Sequence, residues 1–212
     1  MPRIIDKKAK KAEILHAAMQ VFAEKGVGRT KMADIAVAAG IGKGTIYEYF
    51  RSKEEIFAEA FRLVSEQTLQ LMNQALHQST DAETKLYRLL DISLVEFMEH
   101  GEHFIEIMMD FWAEGVRKHD HTMMQMVNLK SLYEGYRQAV ARVLEQGIQE
   151  GQFRPMDVQL NASLLIAALD GLMLQWTLDR SLFTFRKAGR VLLHSFLYGI
   201  RQSRDKEKNH ET

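Results

Sequence analysis

The 212-residue sequence predicts an all-α protein of about nine helices. Apolar residues recur at helical spacing, three and four apart, along most of the chain. Helix-start signals precede several of these apolar runs, and only Pro2 and Pro155 are present to interrupt them. No stretch shows a convincing strand pattern. We expect an N-terminal three-helix domain over residues 1–52 and a larger helical domain over residues 53–212.

The first predicted helix covers residues near 6–25, and Gly26 and Gly28 end it. Its inner face is apolar and consists of Ile14, Ala18, Val21 and Phe22. Such a face has to pack against other helices of the same domain.

Two short helices joined by a glycine turn follow. Thr30 is the predicted cap of the first, and Gly40 stands just past its apolar face, where a left-handed residue commonly ends a helix. Gly42 is an acceptable cap for the second, which we expect over residues 43–49 with Ile46 buried.

This arrangement favours a helix-turn-helix unit whose second helix lies at the surface, where it can enter the major groove of DNA. An ordinary helical hairpin is the alternative. The small-residue turn, the shortness of the second helix and the donors on its outer face favour the DNA-binding interpretation.

Six further helices are predicted in the larger region. Four-residue patterns at 52–55 and 80–83 have the form of capping boxes and would start two of them. Asp157 and Thr184 are the predicted caps of the last two helices. The expected ranges are 53–77, about 82–100, 104–115, 122–150, 157–179 and 184–203.

Charge is distributed unevenly along the chain. The whole sequence is neutral, with 28 basic and 28 acidic residues, but residues 1–53 contain eleven basic and five acidic side chains. This segment therefore has a net charge of +6, and such asymmetry indicates a nucleic-acid partner. The lysines of residues 7–11 belong either to a DNA contact or simply to a solvated arm.

The N-terminal quarter resembles the DNA-binding domain of the TetR (tetracycline repressor) family of bacterial transcription regulators. The main stretch of similarity lies within residues 30–54, and further matching residues lie in the first helix and its following turn. Gly42 departs from the family pattern, which usually has serine at this cap. The matching residues are Ile14, Leu15, Ala17, Ala18, Phe22, Gly26, Thr30, Ile35, Ala36, Ala39, Gly40, Gly44, Thr45, Ile46, Tyr47, Tyr49, Phe50, Lys53 and Glu54.

The resemblance implies which residues contact DNA. Lys43 and Thr45 are the expected contacts to base edges or nearby phosphates, and Tyr47 is the stronger of two tyrosine contacts to phosphate. Lys53 stands in the first turn of a helix, where the positive helix end also favours an anion. The full predicted DNA-binding set is Thr30, Lys31, Lys43, Gly44, Thr45, Tyr47, Tyr49 and Lys53.

Residues 151–176 resemble the end of the family's ligand-binding domain, whose last two helices pair with those of a second subunit. Apolar residues on both helices agree with this, although their inner faces must also fill the subunit's own core. Gly171 and Gly199 would let the backbones approach closely. The apolar residues in question are Leu164, Leu165, Ala168, Leu172, Leu192, Leu193, Phe196, Leu197 and Ile200.

The resemblance also implies a ligand cavity in the larger domain. Residues 97–136 are rich in aromatic residues and methionine, which adapts to irregular ligands. Core packing is the alternative for any one of these side chains. The predicted ligand-binding residues are Phe104, Met108, Trp112, Tyr136, Asp170, Met173 and Trp176, and they favour a hydrophobic or amphipathic effector.

Other chemistry is not indicated. The chain has no cysteine, which excludes disulfides and thiol nucleophiles and fits the cytoplasm. Residues 119–121, with two histidines, fit a solvated loop better than a metal site, and no phosphate loop or nucleotide motif is present. We therefore predict no enzyme, metal or cofactor. The N-terminus is not a secretory signal, and the longest clean apolar run, residues 164–169, is too short for a membrane span.

Together these features predict a cytoplasmic one-component repressor. It would bind a palindromic operator in double-stranded DNA as a homodimer, and a small, mostly apolar effector would release it. The alternative is a helical-bundle ligand-binding or interaction protein with vestigial DNA binding.

Overall fold

The computed structural model describes residues 7–78, 80–99, 104–119 and 125–202, without the side chains of residues 94–99, 104, 105, 112 and 118. These residues contain nine helices and one isolated β-bridge, between Phe153 and Arg201. The all-α prediction is confirmed. The helices are α1 (Lys7–Lys25), α2 (Met32–Ala38), α3 (Lys43–Ile46), α4 (Lys53–Leu76), α5 (Ala82–Glu99), α6 (Phe104–Lys118), α7 (Leu129–Gln149), α8 (Val158–Leu178) and α9 (Phe185–Ile200).

Packing divides the chain into two compact units. Unit 1 combines Met1–Gln67 with Glu99–Leu129, and unit 2 combines Thr68–Met98 with Lys130–Thr212. Unit 1 therefore contains α6 in addition to the first three helices and most of α4. The predicted domain boundary after residue 52 follows the DNA-binding motif instead, and it stays a prediction.

An aromatic cluster forms the centre of unit 1. Phe57 of α4 stacks on Phe111 of α6 with ring centroids 4.2 Å apart, and Phe22 of α1 meets Phe57 edge-on at 6.3 Å. All three rings are almost fully buried. Burial of such rings is worth several kcal/mol, so the cluster ties α6 to the N-terminal helices.

The turn between α2 and α3 has the predicted geometry. Gly40 adopts a left-handed φ of 64°, and its N–H donates to Val37 O at 3.1 Å. Ile41 N–H donates to Ala36 O at 3.0 Å, which completes a Schellman motif. Gly42 occupies the N-cap position of α3, as expected.

Three local predictions need correction. Thr30 does not cap α2, which begins at Met32 after Lys31; its hydroxyl donates to Gly26 O at 2.7 Å instead. Helix α3 ends at Ile46 and not at residue 49, because the N–H groups of residues 47–49 donate to carbonyl groups three residues earlier, as in a 3₁₀ turn. In α5 the cap is Asp81 and not Thr80, since Asp81 accepts from Thr84 N at 3.0 Å.

Unit 2 is built around α5, α7, α8 and α9. Its core contains Leu86 from α5, Leu144 from α7, Leu165 from α8 and Leu197 from α9. Asp157 caps α8 as predicted and accepts from Leu160 N at 2.9 Å. Residues 125 and 126 are helical, but residues 127 and 128 are not, so they interrupt the helix predicted over residues 122–150 and α7 begins at Leu129.

Among the described residues, α8 is long and apolar enough to cross a membrane by length and composition alone. The sequence-based estimate was shorter because it stopped at Asp170, the only charged residue in the helix. Ala162, Leu165 and Ile166 are buried in unit 2. One side of α8 is therefore a core face of the protein itself.

Candidate functional site

The predicted DNA-binding residues differ in their exposure. Lys31, Lys43, Gly44 and Tyr47 are exposed, and 50% of the Tyr47 surface is accessible. Buried Ile46, on the opposite side of α3, anchors the helix in unit 1. The helix thus presents a lysine at its first turn and a tyrosine just after its last.

The remaining members of the set are partly or fully enclosed. Thr45, Tyr49 and Lys53 are half-buried, and Thr30 is only 2% exposed. Because its hydroxyl already donates to Gly26 O, Thr30 serves the turn after α1. A contact with a phosphate would have to come from its neighbours.

Lys53 has an internal role that the sequence did not reveal. Its ammonium group donates to Val27 O at 2.5 Å and to Gly28 O at 2.9 Å. The first residue of α4 is therefore tied to the turn after α1. An ammonium group has three donors, so one donor and the charge still remain for a phosphate.

The same turn is held by α6, which sequence reasoning did not connect to it. Asp110 Oδ2 accepts from Val27 N at 2.5 Å and from Gly28 N at 3.2 Å. We call residues 26–28 with Asp110 and Lys53 the turn clamp. Gly26 has a φ of 76°, and a Cβ placed there would lie 3.0 Å from Asp110 Oδ2.

The clamp is a consequence of tertiary structure. Asp110 is 83 residues from Val27 in the sequence, and no local pattern predicts such a pairing. The acidic stripe Glu106, Asp110 and Glu114, at four-residue spacing on α6, is the one signal that could have drawn attention to it.

Charges on α2 are organised around Asp34. Its carboxylate accepts from Lys31 N at 2.9 Å and pairs with Lys25 Nζ at 3.0 Å. The bond from the Lys31 backbone, followed by the bond from Lys25, lowers the pKa of Asp34. Asp34 therefore stays ionised, and it fixes the start of the helix that supports α3.

The predicted ligand-binding residues divide between the units. Phe104, Met108 and Trp112 belong to α6 in unit 1. Met108 is half-buried, and the side chains of the other two are outside the description. Tyr136, Asp170, Met173 and Trp176 belong to unit 2, and all four are half-buried.

In unit 2 the four residues lie beside the core. Tyr136, Met173 and Trp176 pack against it, and Trp176 lies 5.9 Å from the buried ring of Phe185. Arg180 covers the Trp176 ring at 4.9 Å.

Tyr133 is a further polar group that sequence reasoning left out of the site. Its hydroxyl donates to Asp170 Oδ2 at 2.9 Å, and its ring lies 6.5 Å from Tyr136 in an edge-on arrangement. Burial raises the pKa of Asp170, although the hydrogen bond from Tyr133 opposes this. Burial, followed by the Asp170 charge, raises the pKa of Tyr136 to about 12.

Within the described ranges no group of three side chains is arranged to hold a metal ion. His119 is exposed, with a φ of 52°. Asp120 and His121 lie outside the described residues, as do His100, Glu102 and His103, whose side chains are also of metal-ligand types.

Comparison with known proteins identifies both parts of the chain. Residues 14–60 match the family described as bacterial regulatory proteins, tetR family. Residues 82–198, more than half of the chain, match the C-terminal region described as BetI-type transcriptional repressor.

Similar proteins cover nearly the whole chain. The fatty acid metabolism regulator protein of Bacillus subtilis is 27% identical over 92% of this chain and 97% of its own length. The HTH-type transcriptional repressor KstR2 of Mycolicibacterium smegmatis is 29% identical over 92% of each chain.

A solved structure agrees with the fold. The transcriptional regulator FadR from Bacillus subtilis, in complex with stearoyl-CoA, has a TM-score of 0.72 and 25% identity over 89% of this chain and 98% of that chain. Its likeness extends over both units, and the two family matches together account for most of the sequence. The chain belongs to the TetR family of bacterial transcriptional regulators.

Proposed function

We propose that the protein is a one-component repressor in the bacterial cytoplasm. It binds a palindromic operator as a homodimer through α2 and α3, and a small, mostly apolar effector releases it. The observation that carries this proposal is the exposed helix α3, with Lys43 at its first turn and Tyr47 at its end, anchored by buried Ile46.

Two features of unit 1 support DNA binding. The Schellman turn at Gly40 fixes the connection between α2 and α3, and the turn clamp holds the chain before α2 and after α3. The orientation of α3 is therefore preorganised for DNA. The net charge of +6 over residues 1–53 attracts the phosphate backbone.

The dimer is supported by an uncovered apolar stripe on α8. Its members are spaced four, three, four, three and four residues apart, which is the spacing of a helix–helix seam. Leu178 is 76% exposed. A Cβ added at Gly171 would meet no packing neighbour within 4 Å, so a partner helix has room to approach. The stripe consists of Leu160, Leu164, Ala167, Gly171, Leu174 and Leu178.

Helix α9 adds Val191 and Tyr198, seven residues apart and 58% and 80% exposed. Four of the nine apolar residues expected on these two helices belong to the inner faces that fill the subunit's own core. Leu165, Leu193, Leu197 and Ile200 are buried, whereas Leu164 is exposed. Ala168, Leu172, Leu192 and Phe196 are half-buried.

A second copy is the proposed occupant of this surface. A soluble monomer rarely leaves such a continuous apolar stripe uncovered, and a two-fold dimer also supplies the second α3 that a palindromic operator requires.

The effector proposal rests on unit 2 and on a relative. Tyr136, Met173 and Trp176 form a half-buried apolar surface beside Asp170. The FadR structure contains stearoyl-CoA, a ligand with a long apolar chain. We therefore expect an effector with an apolar body.

The test is operator binding by fluorescence anisotropy, with duplexes drawn from the DNA upstream of the protein's own gene. We expect saturable binding to one palindromic duplex, competed poorly by scrambled DNA, with affinity falling as salt rises. Absence of duplex binding at low ionic strength would instead favour the vestigial alternative. Addition of hydrophobic compounds to the bound complex then identifies those that release DNA.

A further inference from the structure

The proposed effector site contains a half-buried carboxylate whose described partner is uncharged. Asp170 lies in the middle of α8, half-buried, and the described contact to its carboxylate is the neutral hydroxyl of Tyr133 at 2.9 Å. A phenol satisfies one of roughly four acceptor positions of a carboxylate and neutralises none of its charge.

Two other partly enclosed carboxylates of unit 2 are paired with cations. Asp91 accepts two bonds from Arg190, at 2.9 and 3.0 Å, and Glu83 pairs with Arg201 at 2.5 Å. Within the described parts of the chain, no basic side chain lies within 4 Å of Asp170. Since a buried charge is costly unless it is paired, Asp170 is a site at which a cation from outside would be stabilised.

The surroundings of Asp170 suit an organic cation better than a metal ion. Tyr133 and Tyr136 stand edge-on to one another, with centroids 6.5 Å apart, and the charge of Asp170 acts on both hydroxyls. Aromatic faces attract amines and quaternary ammonium groups, and a nearby carboxylate adds to that attraction. Met173, one turn along α8, supplies adaptable apolar surface on the same side.

We propose that the effector carries a positively charged amine or quaternary ammonium group, and that this group lies against the Asp170 carboxylate beside the rings of Tyr133 and Tyr136. The proposal rests on the proposed effector response and specifies its chemistry. The apolar body of the effector would then lie along Met173 and Trp176.

The experiment compares four probes that share a hexyl chain and differ in the head group: hexyltrimethylammonium, hexylammonium, 1-hexanol and hexanoate. Binding to the DNA-free protein is measured by calorimetry. We expect the better of the two cations to bind at least tenfold more tightly than 1-hexanol, and hexanoate to bind most weakly. The order of the two cations tells a quaternary ammonium site from an amine site. Equal binding of 1-hexanol, or tighter binding of hexanoate, would overturn the proposal.

Two variants tie the preference to the residue. Asp170→Asn keeps the side-chain shape and removes the charge, so it should reduce the preference for the better cation over 1-hexanol to less than twofold. Asp179→Asn, at the exposed end of the same helix, is the matched control and should keep the full preference. Retention of the preference in Asp170→Asn would contradict the assignment.

A third variant separates charge from hydrogen bonding. Tyr133→Phe removes the hydroxyl that now contacts Asp170 and keeps the ring, so the preference for the better cation should stay within threefold of that of the wild type. Loss of the preference in this variant would assign recognition to the hydroxyl and overturn the role given to the carboxylate.

Folding of each variant is checked by circular dichroism and by thermal unfolding. Because the four-probe measurement uses no DNA, its result is separate from that of operator binding. Cation preference without operator binding would leave the cation-binding site at Asp170 standing and remove the repressor proposal. If operator binding is released equally by neutral compounds, the repressor proposal stands and the proposed cationic head group is overturned.

Discussion

Two lysines of the proposed DNA surface are in different environments. Lys43 is exposed at the first turn of α3, whereas Lys53 donates to the carbonyls of Val27 and Gly28. A side chain bonded inside its own unit influences DNA binding through structure as well as through charge.

We expect Lys43→Ala to weaken operator binding with little change in the free energy of unfolding. Lys53→Ala should weaken binding to all duplexes, lower the salt slope by about one unit, and also lower the free energy of unfolding by about 1–3 kcal/mol through its lost charged hydrogen bonds. Salt titrations of duplex binding and urea unfolding of both variants measure this. Equal unfolding midpoints in the two variants would refute the internal role of Lys53.

A charge network on α1 and α4 responds to acid. Glu59 pairs with Arg62 at 2.9 Å and with Lys11 at 2.9 Å. The hydrogen bond from Arg62, opposed by burial and aided by Lys11, lowers the pKa of Glu59 to about 2. A depressed folded-state pKa of a carboxyl group stabilises the protein above the pKa of its unfolded form, and that contribution disappears as the pH falls toward the folded value.

We therefore expect Glu59→Gln to be less stable than the wild type by about 1 kcal/mol at pH 6, the magnitude of a surface pair. The difference should shrink as the pH falls from about 4.3, the ordinary glutamate value, toward 2. Urea unfolding at several pH values, with Glu13→Gln as the control, measures it. A difference independent of pH would contradict the ion-pair explanation.

At the scale of elements, the turn clamp joins α1, α4 and α6 within unit 1. Asp110 accepts two backbone N–H groups of the turn, and Lys53 donates to two of its carbonyls. Backbone groups of a half-buried turn need such partners because water reaches them poorly. The clamp therefore fixes how the helix-turn-helix is supported.

Removal of the carboxylate tests this support. Asp110→Ala should lower the free energy of unfolding by about 1.5–3 kcal/mol, as expected for two bonds to a charged acceptor. Hydrogen exchange of the Val27 and Gly28 amides should quicken at least tenfold. Val116→Ala, at an exposed position of α6, is the control. Unchanged exchange at these two amides would show that they do not depend on Asp110.

Helix α7 contains two glycines with different surroundings. A Cβ at Gly147 would lie 2.1 Å from the ring of buried Phe153, whereas one at Gly135 would lie 2.9 Å from a methyl group of Leu69. A leucine methyl can rotate away, but a buried ring cannot move without opening the core.

We expect Gly147→Ala to destabilise unit 2 by about 3 kcal/mol or more through overpacking. Gly135→Ala should cost less than about 1 kcal/mol, because the leucine methyl can move aside. Both changes gain the same helix propensity, so the difference between them reports the steric effect. Thermal unfolding of the two variants compares them, and Phe153→Leu should partly rescue Gly147→Ala. Similar losses of stability in both variants would mean that the Phe153 ring does not restrict the size of the residue at position 147.

At the scale of the whole molecule, the apolar stripe on α8 is the surface that we propose pairs with a second copy. Leu164 is 55% exposed in the middle of it. Symmetry places each residue of a two-fold interface in the contact twice, so one substitution changes both halves of the dimer.

We expect Leu164→Glu to raise the dimer dissociation constant at least about 100-fold, because two unpaired carboxylates would have to be desolvated. Leu63→Glu, an exposed position on α4, should leave the dimer intact. Sedimentation equilibrium measures both, and operator affinity should fall in parallel with dimerisation for Leu164→Glu. A dimer that survives this change would place the interface elsewhere.

The sequence by itself determined the features that depend on near neighbours. Gly40 could be recognised as a left-handed helix end, Asp157 as a cap, and Ile46 and Phe50 as buried, because each depends on residues within one or two turns. The family resemblance rests on the same short-range pattern. The missed caps of α2 and α5 are also local, since two adjacent polar residues competed for each cap position.

Tertiary structure alone decided the contacts between distant segments. Asp110 meets the turn at residues 26–28, and Tyr133 meets Asp170 across 37 residues. It also decided which apolar side of α8 enters the core and which remains uncovered. Helical periodicity identifies apolar faces, but it carries no information on which helices meet. That choice depends on packing many side chains at once, so it belongs to the folded molecule as a whole.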